Sequence, residues 1–204
     1  MKSCWIYCGA PTENLIIKPP DDAFIIAADR GYNILERIGI TPNLLIGDFD
    51  SITDIIPDNC PIISAPTEKD DTDTMLAVKK ALSLGYDDIA LIASIGGRLD
   101  HTFANIQTLA YISSNGCKGR LVGENDLVYF CEKGEFIFPK IDSMYFSVFS
   151  YTTESQISLI GTKYTLNNYC LSNKFPLGVS NEIIDNEAII KIKDGKIIII
   201  FSKK

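Results

Sequence analysis

A single histidine, His101, stands among 204 residues, and the six cysteines include no CxxC pair. That excludes the usual zinc sites, which draw on Cys and His at short spacing. Long hydrophobic runs are also missing. The longest purely aliphatic stretch is Ile197–Ile200, far short of the ~20 residues a membrane helix needs. The apolar N-terminal stretch is cut off at Gly9-Ala10-Pro11 before a signal-peptide core can form. The expectation is a cytoplasmic protein with reduced, mostly buried thiols and no membrane partner. Basic charge is scarce, with 19 Lys and Arg against 26 Asp and Glu, a net charge of −7 and a pI near 4.7. Such a balance argues against a nucleic-acid surface, which needs basic patches to engage phosphates. Neither GxxxxGKS/T nor GxGxxG occurs, so the P-loop and the dinucleotide fingerprint are both absent.

What remains is ordinary globular composition, 46% hydrophobic and 22% charged. Up to about residue 125, short apolar runs alternate with helical patterns. Strands are predicted over 4–8, 23–27, 43–46, 61–64, 88–93 and 119–122. They are mostly apolar throughout, as strands covered on both faces should be, which indicates a parallel sheet. Helices are predicted over 32–38, 74–84 and 102–113, with Gly39, Gly85 and Gly116 as stops. The first crossover, holding Pro19-Pro20, leaves room for a short helix or none. After Asn125 the texture changes to LVYF, GEFIFP, MYFSVFS, ISLIGTKYTL, GVSNEI and EAIIKIKDGKIIIIF, short and often alternating strands between turns, with Asp194-Gly195 marking a hairpin. The reading is an α/β domain over 1–125 and an all-β domain over 126–204. The terminal strand 196–201 is too apolar to be a bare edge, so pairing or cover, by other strands or a second subunit, is expected.

Ligands of an open parallel sheet bind outside the carboxyl ends of its strands. Polar residues gather there: Asp29-Arg30-Gly31 after the second strand, Asp48 and Asp50 after the third, Glu68 to Asp73 after the fourth, and Arg98, Asp100 and His101 after the fifth. In LLIGDFDS, 44–51, the two aspartates at i and i+2 of an extended chain point the same way, roughly 7 Å apart, so they repel unless a cation sits between them. TEKDDTDT, 67–74, opens the second helix with more acids than capping requires, and one of them is a candidate to share that cation. Oxygen-only ligands completed by substrate phosphate suit Mg²⁺, and a nucleotide is then the natural ligand. Gly96-Gly97-Arg98 fits it, because glycines admit close backbone approach and a guanidinium forks onto phosphate oxygens. His101, at a helix start, reads as structural. Residue chemistry by itself stops at a Mg-dependent enzyme or binder of phosphorylated compounds.

The ordered set ADRG (28–31), GDFDS (47–51), EKDDTD (68–73), GGRLDH (96–101), GTKYTL (161–166) and GVSNE (178–182) resembles the thiamine pyrophosphokinase family. The resemblance implies a Rossmann-like α/β domain followed by a β-sandwich, working as a homodimer with thiamine near the subunit interface. It implies transfer of the terminal pyrophosphate of ATP to the thiamine hydroxyl, giving thiamine diphosphate and AMP. By that likeness Asp48, Asp50 and Asp73 hold Mg²⁺, Thr72 and Arg98 contact phosphate, and Lys69 lies beside the nucleotide. Asp29 and Asp100 lie in the catalytic cleft, and Ser180 and Asn181 address the thiamine rings. Asp100 is the favoured proton acceptor and Asp73 the second choice. Two departures stand out: Arg30 replaces a glycine that members often carry, and Ile183 and Ile184 occupy the place of a bulky aromatic. The rival readings are a Mg-dependent nucleotide phosphohydrolase and a non-catalytic nucleotide or thiamine sensor.

Overall fold

The computed structural model describes residues 1–13, 19–48, 60–64 and 70–204. Asp50 and Lys69, expected at the metal and the nucleotide, lie outside the described residues, as do residues 14–18 of the first crossover. The chain divides into two units, Met1–Glu124 and Asn125–Lys204. No helix among the described residues is long and apolar enough to cross a membrane.

The first unit runs β1 (Ser3–Tyr7), β2 (Phe24–Ala28), α1 (Gly31–Arg37), β3 (Leu44–Gly47), β4 (Ile62–Ser64), α2 (Asp73–Ser83), β5 (Asp88–Ile92), α3 (Leu99–Ser114) and β6 (Lys118–Val122). Its strands lie in the order β4-β3-β2-β1-β5-β6, every pairing parallel. Ile6 of β1 stands beside Ile26 on one side and Leu91 on the other. Cys4, Trp5, Ile6 and Tyr7 are all buried; since alternate residues face opposite ways, both faces of the strand are covered. From β1 the chain builds outward in one direction to β4, then returns to the other side of β1 for β5. The carboxyl ends of β1 and β5 therefore flank the point where strand order reverses, where open α/β sheets leave a crevice.

Close packing around β1 fixes one glycine. A Cβ on Gly31, at the start of α1, would lie 1.9 Å from the Tyr7 carbonyl oxygen, so only a residue without a side chain lets α1 begin there.

The second unit comprises β7 (Asp126–Cys131), β8 (Gly134–Pro139), β9 (Met144–Ser150), β10 (Glu154–Ile160), β11 (Leu166–Ser172), β12 (Glu187–Asp194) and β13 (Ile197–Lys203). β13 pairs antiparallel with β7 and β9, and a second antiparallel sheet has the order β11-β10-β12-β8. The rings of β8 and the first sheet interlock: Phe138 lies 5.1 Å from Tyr129 and 5.8 Å from Phe201, centroid to centroid.

Here two sequence expectations need correcting. Asp194-Gly195 is not a hairpin; the turn carries the chain from β12 in one sheet to β13 in the other. The alternation explains it, for β12 buries Ala188, Ile190 and Ile192 while β13 buries Ile197, Ile199 and Phe201, so each strand turns an apolar face inward from its own sheet. Gly195 makes the turn at φ +81°, in a space where a Cβ would lie 2.5 Å from the Glu154 carbonyl oxygen. GVSNEI, read as a strand, forms only the isolated bridges Phe146–Asn181 and Thr162–Ile183, whereas Leu166–Ser172 supplies β11. The terminal strand is paired along both edges, as its apolar sequence demands.

Candidate functional site

A cleft of about 490 Å³ in the first unit is lined by Asp29, Thr72, Asp73, Arg98, His101 and Asn105, among others. Asp29 follows β2 directly, in the left-handed region at φ +46°, with its N–H donating to the Ile46 carbonyl at 2.8 Å. Left-handed backbone is uncommon outside glycine and costs free energy, so the fold holds this aspartate against a local penalty. Gly47 ends β3 close by: a Cβ there would lie 3.2 Å from the Asp29 Cα. That approach brings the end of β3, and half-buried Asp48 after it, alongside Asp29.

Thr72 and Asp73 open α2. The Thr72 hydroxyl oxygen accepts from the Met75 N–H at 3.1 Å, a cap that leaves the hydroxyl proton for another acceptor. Asp73 stands in the first turn, where the helix terminus favours negative charge. The donors in this region are carboxylate oxygens, a set that suits a hard cation. Among the described residues no three Asp, Glu, His or Cys side chains form a metal cluster; Asp50, the third expected ligand, is not one of them.

Across the cleft, the loop from β5 to α3 is bent by Ala93 at φ +50°, Gly96 at φ +105° and Gly97 at φ +68°. Side chains brace it. Ser94 donates through Oγ to the Leu91 carbonyl at 2.7 Å, Asn105 Nδ2 donates to the Ser94 carbonyl at 2.8 Å, and the Gly96 N–H donates to Thr102 Oγ1 at 3.3 Å. Ser94 and Asn105 are buried. Neither was singled out by sequence reasoning; the available signal was a polar Asn two turns after Arg98, on the same helical face.

Arg98 donates to Asp100 twice, Nε to Oδ1 at 3.1 Å and Nη2 to Oδ2 at 2.5 Å, and Asp100 Oδ1 also accepts from the His101 N–H at 2.9 Å. The Arg98 hydrogen bond, aided by the His101 N–H, holds the Asp100 carboxyl below the usual carboxylate range, and the same pairing raises Arg98. Both side chains are largely exposed, 73% and 62%, so the pair adds little to stability and can be exchanged for a better partner. Cys8 also lines the cleft; burial pushes its thiol up to about 12 against the opposing Thr74 hydrogen bond, which disfavours the nucleophilic thiolate.

In the second unit Asn181 is 5% exposed and works as a clamp. Its Oδ1 accepts from the N–H groups of Tyr164 at 3.0 Å and Glu182 at 2.8 Å, while Nδ2 donates to the Tyr164 carbonyl at 2.8 Å. Three of the amide's roughly four capacities are thereby used inside the protein. Ser180 beside it is exposed, sits at φ +57° and is anchored by its N–H to Ser147 Oγ at 3.0 Å. Glu182 accepts from Lys204 and, at 2.9 Å, from Lys163, which together hold its carboxyl at about 2. Of the two residues expected at the thiamine rings, Ser180 is presented to solvent and Asn181 is committed to bracing the GTKYTL turn.

Residues 20–121 match the family described as thiamin pyrophosphokinase, catalytic domain, and residues 135–197 match thiamin pyrophosphokinase, vitamin B1 binding domain. Thiamine pyrophosphokinase of Bacillus subtilis is 32% identical over 216 aligned residues, covering 99% of both chains. The crystal structure of thiamine pyrophosphokinase from Bacillus subtilis superposes with a TM-score of 0.92 at 30% identity, with 100% of each chain covered. That of a thiamin pyrophosphokinase family protein from Enterococcus faecalis reaches 0.85 at 28% identity, again over 100% of each chain. This chain, whose two halves match both family domains in order, belongs to the thiamin pyrophosphokinase family.

Proposed function

We propose that the protein transfers the pyrophosphoryl group of ATP to the hydroxyl of thiamine, giving thiamine diphosphate and AMP. The observation that carries this reading is the convergence of Asp29, Thr72, Asp73 and Arg98, from three separate strand-to-helix connections, on one cleft. In the reaction a bond forms between the thiamine oxygen and the β-phosphorus, and the bond from that phosphorus to the oxygen bridging the α-phosphate breaks. Such transfers need charge neutralisation and in-line positioning more than covalent help. Asp48, Asp50 and Asp73 would hold Mg²⁺, which when bound neutralises phosphate charge.

Arg98 exchanges the Asp100 carboxylate for phosphate oxygens, which its planar fork meets bidentately. That exchange has a second effect. Asp100, relieved of the guanidinium that depresses its carboxyl, becomes a better acceptor for the thiamine hydroxyl proton, with Asp73 as second choice. The Thr72 hydroxyl donates to phosphate, Lys69 lies beside the nucleotide, and Asp29 orients the polar side of the cleft. Residues 1–125 act as a Rossmann-like ATP and Mg²⁺ domain, and 126–204 as a β-sandwich that takes thiamine through Ser180, with Asn181 setting the frame. Exposed Phe175, Leu177 and Val179 directly before Ser180 favour a homodimer that covers them. Free and mostly buried cysteines favour the cytoplasm.

Incubation with ATP, MgCl₂ and thiamine tests the reading. AMP and thiamine diphosphate should appear in equal amounts. ADP with thiamine monophosphate, or nucleotide cleavage indifferent to thiamine, overturns it.

A further inference from the structure

We propose that Arg30 is a second guanidinium grip on the ATP polyphosphate, the one that meets the nucleotide first. This rests on the ATP reading above and adds a residue to it. Arg30 directly follows Asp29 at the carboxyl end of β2 and caps α1. Its side chain lines the cleft that holds Asp73 and Arg98, and also an adjoining cavity of about 500 Å³ on its other flank. The root of the side chain has a prepared seat: a Cβ on Gly9, just after β1, would lie 2.7 Å from the Arg30 Cβ. Glycine at position 9 therefore leaves open the space that the Arg30 stem occupies.

Of the two arginines that line the cleft, Arg98 is held by an acid and Arg30, among the described residues, is not. Arg98 is paired with Asp100, Arg120 with Asp88 and Lys79 with Asp71. Arg37, across the adjoining cavity, donates to the Thr12 carbonyl at 2.6 Å. Arg30 is exposed, and among the described residues its guanidinium has no hydrogen bond or ion pair. Yet the chain carries a net charge of −7, and Asp29 and Asp73 line the same cleft. A guanidinium whose donors are unspent among the described residues, beside these acids, is suited to phosphate oxygens arriving from outside. Arg98 must give up Asp100 before it can bind phosphate, whereas Arg30 has no acid to give up among the described residues. The order of engagement follows: Arg30 captures the polyphosphate, and Arg98 then exchanges partners and aligns it. Capture by a charge at the mouth of a cleft is also sensitive to salt.

The test is titration calorimetry of α,β-methylene-ATP with Mg²⁺ into native protein, Arg30→Gln and Arg30→Lys, together with steady-state kinetics. Losing a hydrogen-bonded charge contact should weaken analogue binding and raise the KM for ATP about tenfold in Arg30→Gln. Arg30→Lys should fall between, keeping charge but losing the fork. The KM for thiamine and the melting temperature should stay at native values, and the salt dependence of the ATP KM should be shallower in Arg30→Gln. Native-like analogue affinity in Arg30→Gln would show an ordinary solvated arginine and overturn the proposal. Failure of the native protein to bind the analogue would instead overturn the ATP reading, and this inference with it.

Discussion

The two units hold their candidate site residues in opposite ways. In the first, parallel strands are apolar to their ends, and polar side chains begin where the strands stop, at Asp29, Asp48 and Arg98. Two groups of this unit keep donors in reserve: the Thr72 hydroxyl proton is uncommitted by its cap, and the Arg98–Asp100 pair is exposed and exchangeable. In the second unit the segment carrying Ser180 and Asn181 is neither helix nor strand. It is held by spent polar groups, the Asn181 amide above all. Phosphoryl chemistry requires reserve, because charge must be met as it develops; recognition of a small ring requires a rigid frame.

Substitutions can break this contrast. The largest effect should come from Asp73→Asn, which removes a carboxylate of the cleft while leaving the fold: turnover should fall by about 10²–10³-fold, comparable with loss of a key electrostatic group, while stability should drop by no more than about 1 kcal/mol from the lost charge at the start of α2. Unchanged turnover would mean that the Asp73 carboxylate is incidental to the chemistry of the first unit. Asn181→Ala should act the other way round. It leaves the Tyr164 and Glu182 N–H groups and the Tyr164 carbonyl short of partners, costing about 1–3 kcal/mol of stability, and should raise the KM for thiamine without changing that for ATP. A rise in the ATP KM instead would count against the division of labour.

Gly31→Ala tests the scaffold beneath the first unit's loops. Its Cβ meets the Tyr7 carbonyl at 1.9 Å, and the forced shift of α1 should cost about 1–3 kcal/mol, read by denaturant unfolding. The smallest effect concerns acid. The Glu182 carboxyl is lowered from 4.5 to about 2 by Lys204 and Lys163, so its contribution to stability is full above the unfolded value and is lost as pH falls through the folded one. Glu182→Gln should therefore flatten the loss of stability between about pH 4.5 and 2, measured by melting temperature against pH.

Much of the first unit was legible because most of its strands are apolar and its helices are followed by Gly39, Gly85 and Gly116 in left-handed backbone. Thr72 and Gly85 mark α2 from both sides. The second unit was harder. β12 and β13 read as one hairpin because alternation reports which face is buried, not which sheet a strand joins. Leu166–Ser172 hid its strand, since LNNYCLS buries only Leu171. For the site, polar residues after four strand ends and the likeness to the family singled out the cleft residues, but the bracing by Ser94 and Asn105 depends on contacts across a loop that no periodicity encodes. The clamp role of Asn181 was likewise invisible, because an amide looks the same whether it holds a ligand or its own backbone.

The direct measurement of the central claim, that carboxylates from separate strand ends share one divalent ion gripping a triphosphate, is anomalous diffraction from crystals grown with Mn²⁺ and α,β-methylene-ATP. The account predicts a single strong peak within coordination distance of oxygens from both Asp48 and Asp73 and of the analogue's phosphates. A nucleotide bound with its metal remote from those aspartates, or held with no metal at all, would contradict it.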